Sequence, residues 1–247
     1  MTERLFEASP RLKARIAGIL YLITTVTGVF ALNVRNGVMV RGDAAATAAK
    51  LLESQRQFRL GIAADLIAGV CYVCVAVILY DVLKPVSRTI SLLAAFLASA
   101  GCVIGAVLLV NVLAPLVLLG GAPALPVFGP DQLQALALTS LRLNAQGSSI
   151  AFVYFGSYCL VLGYLIFRSG FFPRLLGGLV ALAGVAWLTS SFTSFLAPGL
   201  APRLFPYVMA CGGLGEGSLC LWLIVVGLNV PRWEQRATGE SRIRQAA

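Results

Sequence analysis

Histidine is absent from the 247-residue chain. Its absence excludes Ser-His and Cys-His catalytic triads, histidine-ligated haem and histidine zinc sites. Charged residues are scarce as well, at 12% of the chain, whereas 59% of the residues are hydrophobic. Such a composition is far too apolar for an ordinary soluble domain, and it predicts a membrane protein.

Acidic residues are the scarcer of the two charge classes, with 10 Asp and Glu against 19 Lys and Arg. The basic residues lie mostly between apolar runs, where they fix topology and meet anionic lipid headgroups. The net charge of +9 therefore indicates that the lipid bilayer is the partner of these basic residues, and it does not indicate nucleic-acid binding.

Six apolar runs approach or exceed the roughly 20 residues that span a bilayer. They cover about residues 16–34, 60–83, 90–113, 148–167, 175–196 and 205–229. We expect an all-α, polytopic bundle of six transmembrane helices forming one domain over residues 16–229, with basic tails at 1–15 and 230–247. Asp43 is a predicted N-cap of a short interfacial helix on the outer side of the bundle.

The distribution of Lys and Arg predicts the orientation. The two tails and the short turns at 84–88 and 168–174 together carry more basic residues than the loops on the other side. The positive-inside rule therefore predicts that both termini are cytoplasmic.

Two acidic residues within the apolar runs are the main candidate site residues. Asp65 lies about one turn inside the second span, and Glu216 lies near the middle of the sixth. An ionised carboxylate at the bilayer centre costs about 2.5 kcal/mol or more, so it is expected to be protonated, paired or hydrated. We predict an outward-facing polar site around these two residues that also includes Arg59, Asn111, Arg142, Asn144 and Gln146.

A structural interpretation of the same residues stays open. Asp65 and Glu216 can instead be satisfied by Arg59, Arg142 or by Tyr, Ser and Thr hydroxyls, in which case they only fix helix packing. The glycine pairs Gly213/Gly217 and Gly101/Gly105 have the spacing of close helix contacts, either inside the bundle or between two copies of the chain.

The six cysteines all lie in apolar runs, where they are expected to pack as small apolar residues. Cys71 and Cys74 have the spacing of a redox motif. No basic residue stands near them in the sequence to activate a thiol, so packing is favoured over redox chemistry.

Several stretches in order resemble a family of uncharacterised bacterial multipass membrane proteins, the domain of unknown function 4386. They are FRLGIAADLI (58–67), LYDVLKPV (79–86), GYLIFRSGFFPRLLG (163–177) and LWLI (221–224) followed by Gly227 and Trp233. The resemblance implies a protein of the bacterial inner membrane and supplies no activity.

Three functions are therefore considered for the chain. The first is binding or transport of a small molecule, lipid or ion through the polar site. The second is a structural or partner-binding membrane subunit, as a homo-oligomer or with another membrane protein. The third is an intramembrane enzyme, although no catalytic constellation, metal site or cofactor is predicted.

Overall fold

The computed structural model describes residues 9–120 and 127–245, with side chains up to residue 239. This part of the chain contains eight α-helices and no strand. We number them α1 (Pro10–Val38), α2 (Ala44–Glu53), α3 (Gln55–Leu83), α4 (Arg88–Leu118), α5 (Pro130–Ser169), α6 (Arg174–Leu196), α7 (Ala201–Val225) and α8 (Val230–Gln245). The predicted all-α fold is confirmed.

Six of these helices, α1 and α3 to α7, are long and apolar enough to cross a membrane. The protein is therefore a multipass membrane protein, as the sequence predicts. Since the number of crossings is even, α1 begins and α7 ends on the same side of the bundle. We call this the terminal side and the other the opposite side.

The six spanning helices form a ring. Each packs against the next one in the chain, and α7 packs against α1 to close the ring. The short helix α2 lies on the opposite side and contacts α5. Its predicted N-cap is confirmed, because the Asp43 side chain accepts a hydrogen bond from the Ala46 amide at 2.8 Å.

The helix ends differ from the predicted spans because caps lie in the polar flanks. Ser9 caps α1 before Pro10, and Ser87 caps α4, so both helices start before their apolar runs. α5 is continuous over 40 residues, and its start is held by Gln132, whose side chain accepts from the Gly129 amide. The sixth span ends at Val225 and not near 229, because Gly227 adopts a φ of 74° there.

Two apolar clusters fill the ring at different depths. The larger lies on the terminal side and includes Tyr21, Leu79, Tyr158, Leu162 and Leu223. The smaller lies on the opposite side and includes Phe58, Ile62, Leu109, Val112 and Leu141. Between them the ring is not filled by apolar packing.

Gly213 and Gly217 do not make the close helix contacts inside the bundle that their spacing suggested, whereas their neighbours Gly212 and Gly215 pack against Trp187 and the Leu179 carbonyl of α6. A Cβ on Gly213 or Gly217 meets nothing within 4 Å among the described residues. The same is true of Gly105, whereas a Cβ on Gly101 would lie 3.0 Å from the Phe155 ring. Within this bundle, therefore, only one member of the second pair makes the close contact that its spacing suggested.

Close backbone contacts made by other glycines join α5 and α6. A Cβ on Gly163 would lie 2.7 Å from the Gly177 carbonyl oxygen, and one on Gly184 would lie 2.7 Å from the Gly156 carbonyl oxygen. Only glycine allows two backbones to approach this closely. These four glycines fix α6 against α5, and α6 carries Trp187 into the ring.

Candidate functional site

A cavity of about 680 Å³ lies inside the ring, between the two apolar clusters. All six spanning helices contribute residues to its wall. Asp65 of α3 and Glu216 of α7 both line it. Two acidic residues that are 151 positions apart in the sequence therefore share one internal space.

Asp65 pairs with Arg35 of α1, whose Nη1 donates to the carboxylate oxygen Oδ2. The two helices are antiparallel, and Gly61 lies beside Val34, so Arg35 starts nearer the opposite side than Asp65 does. Side chains on a helix tilt toward its N-terminus. The Arg35 side chain therefore tilts toward the terminal side and the Asp65 side chain tilts away from it, which brings the two groups together.

The ion pair retains free hydrogen-bonding capacity. A guanidinium has five N–H donors and a carboxylate has about four acceptor positions. Among the described residues, the bond between Arg35 Nη1 and Asp65 Oδ2 is the one hydrogen bond found for either side chain. Both residues line the cavity, so their remaining donors and acceptors are available to a molecule inside it.

Glu216 is held by neutral donors. Its Oε2 accepts from the Tyr21 hydroxyl at 2.5 Å, and its Oε1 accepts from the Trp187 indole Nε1 at 2.7 Å. No Lys or Arg of the described residues forms an ion pair with it. The carboxyl group thus links α1, α6 and α7 through hydrogen bonds to both of its oxygens.

Aromatic rings surround this group. Tyr72 packs edge-on against Tyr21 at 5.5 Å between ring centroids, and against Phe155 at 5.2 Å. Phe152 stacks on Trp187 at 4.8 Å. These packed rings fix the donor atoms of Tyr21 and Trp187 and form an apolar wall beside the carboxyl group.

The two polar positions lie at different depths. Tyr21 and Arg35 are 14 residues apart on the same helix, which corresponds to a rise of about 21 Å between their Cα atoms. Most of the wall between them is apolar or small, and it includes Gly28, Gly69 and Val70. The cavity therefore has a polar position at each level and an apolar wall between them.

The other five predicted site residues do not line this cavity. Arg59, Arg142 and Gln146 are exposed. Asn144 is buried, and its Nδ2 donates to the Leu108 carbonyl at 3.0 Å, which links α5 to α4. Asn111 is half-buried outside the cavity wall. The predicted pairing of Asp65 with Arg59 or Arg142 is wrong, because Arg35 occupies that role.

Arg35, Tyr21 and Trp187 were missed from the sequence. The first apolar run ends at residue 34, which places Arg35 just outside the predicted span, whereas α1 continues to Val38. Trp187 lies in the middle of α6, whereas tryptophan in membrane proteins is enriched at the interfaces. A mid-span tryptophan was therefore the signal that could have indicated a polar partner inside the bundle.

The cysteines do not all pack as predicted. Cys159 and Cys220 are buried, but Cys74 is exposed and lines the cavity together with the half-buried Cys102. In residues 9–120 and 127–239, no three His, Cys, Asp or Glu side chains come together in a possible metal-binding group. The charged and acidic groups of the cavity wall are thus one ion pair and one hydrogen-bonded carboxyl group, and the hydroxyl groups of Thr24, Thr25 and Ser148 line it as well.

A second charged cluster lies on the terminal side. Asp81 accepts from Lys13 and from Lys84, each at 2.5 Å. Next to it, Trp233 of α8 donates from Nε1 to the Val82 carbonyl at 2.8 Å. These contacts hold α1, α3 and α8 together at the edge of the bundle and are separate from the cavity.

Comparison with known proteins identifies the family of this chain. An uncharacterised protein of Archaeoglobus fulgidus is 27% identical over 78 residues, which cover 32% of this chain and 44% of that protein. No solved structure matches the chain. The family model described as a domain of unknown function (DUF4386) matches residues 16–227, a region that begins within α1 and ends just beyond α7. The chain therefore belongs to the DUF4386 family.

Proposed function

We propose that the protein binds a small amphipathic molecule in the cavity of its ring. The single observation that carries this proposal is that Asp65 and Glu216 line one cavity of about 680 Å³. Pockets for small organic molecules have volumes of about 300–1,000 Å³, and they combine a mostly apolar wall with a few placed polar groups. This cavity has both properties.

An uncharged, hydroxyl-bearing head is favoured over an anionic one. The acidic and basic residues of the wall are Asp65, Glu216 and Arg35, and the guanidinium is already paired. An anionic head would approach two acidic groups and one neutralised cation. A hydroxyl group can donate to Asp65 and accept from Arg35 without displacing their ion pair.

The apolar part of the molecule fits the aromatic side of the cavity. Phe152, Phe155 and Tyr72 line that part of the wall, and burial of apolar surface stabilises a complex by about 25 cal/mol per Å². In this arrangement the head lies at Arg35 and Asp65, and the apolar body extends toward Glu216.

A thermal-shift titration in detergent tests this function. Monoacylglycerol is added to the wild-type protein and to Asp65→Asn and Glu216→Gln, with Asp131→Asn as control, since Asp131 is exposed and lies outside the cavity. We expect a ligand-dependent rise in the unfolding temperature of the wild type and the control, and a smaller rise in the two cavity variants. A fatty acid of equal chain length should shift the temperature less.

Other outcomes separate the alternatives. If no amphiphile shifts the wild type, and both cavity variants lose stability equally, the two acidic residues serve helix packing and the binding function is wrong. If the fatty acid gives the larger shift, the uncharged head is wrong.

A further inference from the structure

The helices α3 and α4 form a hairpin that closes at both ends but not in its middle. On the terminal side, Leu79 and Ala94 belong to the larger apolar cluster. On the opposite side, Ile62 and Leu109 belong to the smaller one. Between these contacts, no residue of 65–71 on α3 and none of 102–108 on α4 is buried. Because the turn at 84–87 joins the two helices, these stretches face each other at the same depth.

The cavity wall reaches the outside of the ring at this place. Leu66, Val70 and Val103 line the cavity, yet 51%, 67% and 62% of their surfaces are exposed. One further large apolar residue of the cavity wall, Val29 on α1, is also at least half exposed. Side chains that line the cavity and are more than half exposed mark a place where neighbouring helices do not cover the wall, and we call this place the α3–α4 gap.

Glycines keep the gap open. Gly69 on α3 and Gly105 on α4 line the cavity, and a Cβ on either one would meet nothing within 4 Å. Neither glycine is needed for close backbone packing, unlike Gly163 and Gly177. Their effect at this position is to leave free space between the two helices.

The gap opens toward hydrocarbon and not toward water. Asp65 lies 10 residues from the first residue of α3, a rise of about 15 Å, and residue 71 lies 12 residues from the last, about 18 Å. The hydrocarbon core of a bilayer is about 30 Å thick, so an opening in the middle of a spanning helix lies within it. A molecule that passes through this opening comes from the lipid phase.

We propose that the α3–α4 gap is a lateral portal through which a single-chain, uncharged amphiphile passes from the bilayer into the cavity. This inference rests on the proposed binding function and adds the source of the ligand and its route. A single chain fits a cavity of about 680 Å³ with one polar end at Arg35 and Asp65. A charged solute would have to cross hydrocarbon to reach the gap, at a cost of several kcal/mol.

The rate of access from the bilayer tests the portal separately from binding. Protein in vesicles is mixed with vesicles that contain a monoacylglycerol with a brominated chain, and quenching of tryptophan fluorescence is followed in time. Trp187 lines the cavity and reports arrival, and Trp187→Phe supplies the background signal. The variants are Val70→Phe and Val103→Phe, which enlarge the exposed side chains at the edge of the gap.

Val107→Phe is the matched control. Val107 lies one turn after Val103 on α4 and is 64% exposed, but it does not line the cavity. We expect the two gap variants to slow quenching about tenfold while the final extent is unchanged, and the control to behave as wild type.

The outcomes of this quenching experiment test the portal and the binding function separately. If the wild type is quenched and all variants follow at the wild-type rate, the portal is wrong but the binding function stands. If Trp187 of the wild type is not quenched at any concentration, the binding function is wrong as well.

Discussion

The Tyr21 hydroxyl donates a 2.5 Å hydrogen bond to Glu216, and this contact joins the first spanning helix to the last. Trp187 on α6 donates to the other carboxyl oxygen. An acidic group within a membrane span requires compensation, and here the compensation comes from two neutral donors on two neighbouring helices. The Glu216 side chain therefore contributes to closing the ring as well as lining the cavity.

Tyr21→Phe removes one of these donors without changing the shape of the ring. We expect the free energy of unfolding to fall by about 1–3 kcal/mol, because a buried carboxyl oxygen loses its partner. Denaturant unfolding in detergent micelles measures this change. Tyr207→Phe is the control, since Tyr207 is 71% exposed. Equal stability of Tyr21→Phe and wild type would contradict a structural role for this bond.

The pair of Arg35 and Asp65 predicts a non-additive effect. Asp65→Asn leaves the guanidinium in the cavity wall without its counter-charge, and Arg35→Gln does the same to the carboxylate. The double variant removes both charges, so its stability loss should be smaller than the sum of the two single losses. A coupling free energy of about 1–3 kcal/mol is expected from a double-mutant cycle. Strictly additive losses would show that the two charges do not interact.

The glycine contact between α5 and α6 predicts a strong effect of one methyl group. In Gly163→Ala the new Cβ would lie 2.7 Å from the Gly177 carbonyl oxygen, so the two helices must separate. Gly178→Ala is the matched control, because a Cβ there meets nothing within 4 Å. We expect Gly163→Ala to lower the unfolding temperature and Gly178→Ala to leave it unchanged or raise it. Similar temperatures for both variants would show that the helices are not in close contact.

A change in the charged cluster around Asp81 is expected to lower the stability of the protein and to leave ligand binding intact. Asp81→Asn weakens the contacts with Lys13 and Lys84 and should cost about 1.5–3 kcal/mol, the range for hydrogen bonds to charged groups. Asp81 does not line the cavity, so the monoacylglycerol-dependent thermal shift should persist. Loss of that shift in a folded Asp81→Asn protein would mean that the cluster and the cavity are coupled.

The fold was predictable because its signals are local. Six apolar runs of sufficient length, separated by more polar segments, determine six spanning helices without any tertiary information. The Asp43 cap is likewise encoded within a few residues. The helix ends were less accurate, since capping by Ser9 and Ser87 lies in polar flanks that hydropathy does not include.

The site was predictable only in part. Asp65 and Glu216 stand out because acidic residues are costly in spans, and both line the cavity. Their partners depend on the order of helices around the ring and on side-chain tilt. Arg35 is 30 residues from Asp65, and Tyr21 is 195 residues from Glu216. No local sequence pattern connects residues so far apart, so the sequence does not identify Arg35 as the partner of Asp65 or Tyr21 as the partner of Glu216.

The central claim, that the ring binds an amphiphile in its cavity, is tested most directly by filling the cavity at Gly28. Gly28 lines the cavity, and a Cβ there meets nothing within 4 Å, so Gly28→Phe places a ring in the free space. Native mass spectrometry of the detergent-solubilised protein then measures the fraction that carries one monoacylglycerol. We predict one bound molecule in the wild type and in the control Gly178→Phe, and loss of this species in Gly28→Phe. Equal occupancy in all three proteins, or none in the wild type at saturating monoacylglycerol, would contradict the claim.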